Sequence, residues 1–142
     1  MRGLSLSAVL VGLAVGAGAS WVFGLGTSLV FSVLLGVSTA PPAAAAEALS
    51  RSDAFHWGTL LASFLATFLA GYTAGRIAGA RPVEHGVLVG VASIFVGLYL
   101  TARFGEPTLI VPQWALILGL CFTPVAGAAG GFAASDSPGA FV

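Results

Sequence analysis

Long stretches without a single charge alternate along this chain with short clusters that hold nearly every ionisable residue. Between Gly3 and Glu47 nothing is charged, and further apolar runs cover 54–75, 86–102 and 107–134. Between them fall Glu47, Arg51 and Asp53, then Arg76, Arg81 and Glu84, then Arg103 and Glu106, and finally Asp136. A helix needs about 20 apolar residues to cross the ~30 Å hydrocarbon layer of a bilayer. The pattern therefore predicts an all-α, polytopic membrane helix bundle with four transmembrane helices in one domain, 1–142. The spans run roughly 5–38, 54–79, 83–103 and 111–134.

Helix punctuation agrees with that count. Pro41 and Pro42 stop the first run, because neither can donate an intrahelical hydrogen bond. Residues 43–49 then read as a short helix outside the membrane, and Ser52 or Asp53 suits the N-cap of the second span. Pro82 fits the first turn of the third, with Glu84 complementing the helix dipole there. Pro107 and Pro112 precede the fourth span, and Pro124 lies inside it. A kink near Thr123 is expected, the freed carbonyl being met by a neighbouring hydroxyl or helix.

The amino-terminal segment is ambiguous in two ways. Arg2, an apolar stretch and Ala17-Gly18-Ala19-Ser20 resemble a secretory signal with a small-residue cleavage site. The apolar run continues through Val37, however, and reads better as a membrane span. As one helix, 4–39 would extend about 54 Å, which exceeds a bilayer. A long helix kinked at Gly12, Gly16, Gly18, Gly24 or Gly26 is the preferred reading, with a re-entrant half-helix as the alternative.

Composition reinforces the membrane reading. Hydrophobic residues make up 58% of the 142 and charged residues 7%, with no lysine. Soluble domains carry about a quarter charged residues, so this chain lacks the polar surface to dissolve. A net charge of zero gives no reason to expect a nucleic-acid partner. Cys121, alone in an apolar run, reads as a small hydrophobe.

Glycine spacing then suggests how the spans meet. Gly12 and Gly16; Gly71, Gly75 and Gly79; Gly86 and Gly90; and Gly127 and Gly131 each lie four apart. Residues at that spacing share one helix face, and glycine there lets backbones approach closely in lipid. All fall toward the membrane side bearing the amino end, the 76–85 turn and the tail. The other half, with Phe64, Phe95 and Tyr99, is bulkier, and Trp21, Trp57, Tyr99, Phe104 and Trp114 are assigned to its aromatic belt. Val9-Leu-Val-Gly12 recurs as Val87-Leu-Val-Gly90, and 70–74 loosely as 130–134. Two tandem helical hairpins related by an axis along the membrane normal would explain this, as would chance matching of short apolar blocks. Three arginines on the amino-end side against two on the other place both termini in the cytoplasm by the positive-inside rule.

Few polar residues invite chemistry. Arg76 could hold a lipid headgroup or pair with Glu84, or it could simply snorkel. His85 could ligate a tetrapyrrole or respond to pH, or serve as an interfacial hydrogen-bonding residue. His56 falls at the opposite membrane face, so the two histidines do not form one site. No catalytic, metal or nucleotide constellation emerges, no cofactor is expected, and no ionisable residue falls at mid-membrane.

The stretch Gly71-Tyr72-Thr73-Ala74-Gly75-Arg76-Ile77-Ala78-Gly79, followed by His85-Gly86-Val87-Leu88-Val89-Gly90, resembles a family of small four-helix prokaryotic membrane proteins. Its members share a G-Y-x-A-G-R-x-A-G…H-G-x-L-x-G pattern and have no settled biochemical activity. The resemblance implies the four-span fold and a prokaryotic plasma membrane, and no reaction. Three functional classes follow. The chain is read first as a non-catalytic structural or accessory subunit packing through glycine-rich faces, in contact with membrane lipid. It would be a homo-oligomer or part of a larger membrane complex. The alternatives are a small transporter or channel, and a cofactor-binding subunit using His85 or His56.

Overall fold

The computed structural model describes residues 4–104 and 111–136, with the side chain of Phe104 excepted. Arg2, Glu106 and Pro107 lie outside the described residues, as does the Phe104 contribution to the aromatic belt. Five helices follow in order: α1 (Leu6–Leu34), α2 (Pro42–Ser50), α3 (Asp53–Ala78), α4 (Pro82–Phe104) and α5 (Gln113–Ser135). All but α2 are long and apolar enough to cross a membrane. This is the architecture of a multi-pass integral membrane protein. Helices suit that environment because each satisfies its own backbone donors and acceptors without water.

Local chemistry sets the ends. The Ser5 hydroxyl caps α1 by accepting from the Ala8 N–H, and the Ser52 hydroxyl caps α3 by accepting from the Phe55 N–H. Both satisfy an orphan donor of a first turn. Gly79 closes α3 in the left-handed region at φ 63° and returns its N–H to the Gly75 carbonyl. Arg81, also left-handed at φ 51°, then leads into Pro82 at the head of α4.

The first span is one long helix, as preferred over a re-entrant half-helix, but it ends earlier than expected. It is one α-helix of 29 residues, about 44 Å long, and none of its five interior glycines breaks it. It stops at Leu34 rather than near 38, because Gly36 turns left-handed at φ 69°. In α5, helix continues through Pro124. The Thr123 hydroxyl donates to the Gly119 carbonyl at 2.6 Å. That carbonyl lies one residue before the Leu120 carbonyl that Pro124 frees, so Thr123 does not replace the lost bond.

α3 is the centre of the bundle, touching α1, α4 and α5. Gly12 and Gly16 of α1 meet Ala70 and Ala66 of α3, an antiparallel register. Gly71 and Gly75 of α3 meet Gly127 and Gly131 of α5 in parallel register, while Gly86 and Gly90 of α4 meet Gly127 and Pro124 antiparallel. α1 and α5 share no contact among the described residues, although α3 and α4 do. The arrangement thus departs from the twofold relation that two tandem hairpins would give.

Burial is concentrated at the end bearing the 79–82 turn. There lie Ala8, Gly12 and Gly16 of α1; Ala66 to Gly75 of α3; His85 to Gly90 of α4; and Ala126 to Ala134 of α5. Past Gly16 in α1 and Gly90 in α4 no residue is buried. Those outer halves expose Leu25, Leu29, Phe95 and Tyr99. At the far end, Phe31 packs edge-on to Phe55 with ring centroids 5.8 Å apart, and Trp57 lies 5.0 Å from Trp114. Trp21 does not join that belt: it lies ten residues before Phe31, about 15 Å deeper along α1.

Candidate functional site at the turn-side end of the bundle

Three helices come closest around Gly127. A Cβ added at Gly71 or at Gly86 would run into the Gly127 backbone, and one at Gly127 would run into Gly86. Gly131 stands against Pro82 in the same way, Gly90 against the Thr123 carbonyl and Pro124 Cα, each at 2.8 Å. A Cβ at Gly75 would lie 2.9 Å from Ala134 Cβ and 3.0 Å from Pro82 Cβ. On the α1 side, Gly12 is held 2.8 Å from the Ala70 carbonyl and 2.9 Å from Ala74 Cβ on the same construction. Contacts this close give dispersion attraction between backbones, which large side chains would prevent.

Gly79 is the exception among the glycines singled out from the sequence. It is exposed, nothing lies within 4 Å of the Cβ it lacks, and its φ of 63° marks it as a helix cap. Its spacing suits a packing face, but a glycine just past a helix end serves the left-handed turn instead. Four other positions were not evident from the glycine spacing. Gly130 abuts the backbone of Phe68 and Tyr72, and Ala66, Ala70 and Ala74 form the face of α3 that receives α1. The signal was present: alanine at four-residue spacing is the same small-residue pattern with one methyl more.

His85 ties α1 to α4. Its side chain is 1% exposed, and the Ser5 backbone N–H donates to Nε2 at 2.9 Å. Nδ1 lies 3.0 Å from the Arg81 carbonyl. A carbonyl only accepts, so the proton resides on Nδ1 and the ring is neutral. Both ring nitrogens are thereby committed within the protein, and neither offers a lone pair to a metal or tetrapyrrole. The Ser5 N–H is one that a helix N-terminus leaves without an intrahelical acceptor, which is why an aromatic nitrogen from another helix is used.

Arg76 is half-buried, its guanidinium carbon 5.8 Å from the Tyr72 ring centroid, within the range of a cation–π contact. Glu84 pairs with Arg81 at 3.3 Å. Both members of that pair are exposed, and such pairs contribute little to stability. At the opposite end, His56 is 3% exposed, with Nε2 2.9 Å from the Ser50 carbonyl and its ring edge-on to Trp114. The two histidines thus belong to opposite ends of the bundle. Among the described residues, no group of three His, Cys, Asp or Glu side chains gathers as a metal would require. Every buried side-chain nitrogen or oxygen among them has a hydrogen-bond partner.

No family model, no curated protein and no solved structure matches the chain.

Proposed function

We propose that the chain is a non-catalytic integral membrane subunit, structural or accessory, that holds itself together through glycine-rich helix faces at one end. It presents the exposed outer halves of α1 and α4 to membrane partners. The observation that carries the reading is the uneven burial. Gly71, Gly86 and Gly127 meet at the turn-side end, whereas Leu25, Leu29, Phe95 and Tyr99 stand exposed on the outer halves of α1 and α4. A second copy or the subunits of a larger complex would cover such surface, and bilayer lipid would cover the remainder. The small four-helix prokaryotic family with the G-Y-x-A-G-R-x-A-G…H-G-x-L-x-G pattern is the proposed kinship, with both termini in the cytoplasm.

The committed nitrogens of His85 weigh against a cofactor ligand at that residue. Purification from native membranes in mild detergent, with mass spectrometry of co-purifying proteins and an absorption spectrum, tests the proposal. A stable homo-oligomer or a reproducible partner set without pigment is the expected result. A stoichiometric haem or other pigment would replace it with the cofactor reading. Recovery as a lone monomer that conducts solute in liposomes would replace it with the transport reading.

A further inference from the structure

Among the described residues, α1 with its Ser5 cap makes one hydrogen bond to another helix, and the acceptor is a histidine. The Ser5 N–H donates to Nε2 of His85, while the Nδ1–H of that ring is spent on the Arg81 carbonyl. His85 and Val89 are the largest fully buried side chains, and a Cβ added at Gly12 would lie 3.1 Å from Val89 Cγ2. Along this seam the start of α1 rests on α4. From Ala8 onward, small buried residues also hold α1 against Ala66, Ala70 and Ala74 of α3. Ahead of Ala8, Leu4, Leu6 and Ser7 are all exposed. The bond to His85 is therefore what fastens the amino-terminal turn.

That bond requires a neutral ring. A proton added to Nε2 turns the acceptor into a donor aimed at the Ser5 N–H, and two donors cannot bond. His56 behaves in the opposite way. Its Nε2 lies 2.9 Å from the Ser50 carbonyl, which only accepts, so Nε2 already carries the proton and a second one enters at Nδ1 without breaking the contact. Of the two buried histidines, only His85 loses an interhelical bond to acid. No neighbouring carboxylate holds an extra proton in place there. At this end of the bundle α3 carries Tyr72 and Arg76, the end of α5 carries Asp136, and α1 has no titratable residue among 5–34. On α4 itself, Arg81 and Glu84 pair with each other. No carboxylate among the described residues accepts a hydrogen bond from the ring. The ring is 1% exposed, so a proton from water reaches it when the turn lifts.

We propose that His85 is a pH-operated latch: neutral, it holds the amino-terminal turn of α1 on α4, and protonated, it leaves that turn released to water. The subunit proposal above does not depend on it. An imidazole in water takes its proton at pH ~6.5, and each pH unit below that favours the released form about tenfold. From about pH 8 to about pH 5, the ratio of released to docked turn should rise about 30-fold. The test uses the full chain in nanodiscs, with a nitroxide at Leu4→Cys in a Cys121→Ala background, and follows label mobility by electron paramagnetic resonance. Leu4 is exposed, so the label displaces nothing buried. The mobile fraction should grow with acid in this protein and equally in its His56→Gln variant. In His85→Gln, whose amide oxygen can accept from Ser5 and does not titrate, the label should stay immobile throughout. Nitrogen-15 NMR of histidine-labelled protein supplies a second reading that needs no variant at His85. Its Nε2 should gain a proton over the same pH range in which the label loosens. A label equally mobile at both ends of that range, a pH response that survives His85→Gln, or protonation of His85 with the label still immobile would overturn the proposal.

Discussion

His85 shows how much a single side chain can settle at the residue scale. As a sequence symbol it allowed a ligand, a pH-responsive group or an interfacial hydrogen-bonding residue. Its surroundings narrow these, because Ser5 of α1 and Arg81 of α4 occupy both nitrogens of a buried ring. Sequence could not disclose the Ser5 contact, which joins backbone to side chain across 80 positions. The expected consequence is a fixed tautomer. Nitrogen-15 NMR of histidine-labelled protein should show His85 protonated at Nδ1 and unprotonated at Nε2, and the opposite assignment would contradict the staple. Gly79 teaches the reverse lesson: its spacing matched its neighbours, yet the position just past a helix end decides its role.

At the scale of the elements, the charge-free runs located all four long helices, and their chemistry placed most ends to within a few residues. Lipid makes this legible, since helix is the economical state for any apolar run of sufficient length. Two helix-breaking residue types were expected to bend their spans without ending them, and neither ends its helix. Glycine within α1 did not interrupt it, because glycine costs helix only ~1 kcal/mol while an opened backbone turn in lipid costs several. Pro124 stayed inside α5, where Gly90 lies against its Cα and the helices enclose it. The Ser52 cap is the element-level feature open to the simplest check. Ser52→Ala removes the acceptor of the Phe55 N–H and should destabilise the fold by about 1 kcal/mol. That loss should appear as a lower midpoint in detergent denaturation, and an unchanged midpoint would mean that water caps α3.

At the scale of the whole molecule, burial is dense at one end of the bundle and sparse along the outer halves of α1 and α4, and both features trace to side-chain size. Small residues converge around Gly127, whereas Val22, Leu25, Phe95 and Tyr99 hold the outer halves of α1 and α4 on the surface. The short repeated blocks suggested a twofold plan that the contacts do not follow, because similar sequences can sit in different surroundings: Gly12 meets Ala70, while Gly90 meets Pro124. That α1 reaches α3 and α4 but not α5 was not legible, since periodicity identifies a packing face and not the helix that fills it. The central claim is that the bundle depends on backbone contact at this layer. A single methyl tests it by sign. Glycine to alanine favours an unconstrained helix by ~1 kcal/mol, so Gly18→Ala, beside open space, should hold or raise the melting temperature. Gly127→Ala would force α5 off Gly86 and should cost about 1–3 kcal/mol. The decisive measurement is therefore the thermal melting of Gly127→Ala against Gly18→Ala in the same detergent. A drop of several degrees for Gly127→Ala alone is expected, and equal or higher melting temperatures for both would contradict the close-packed layer.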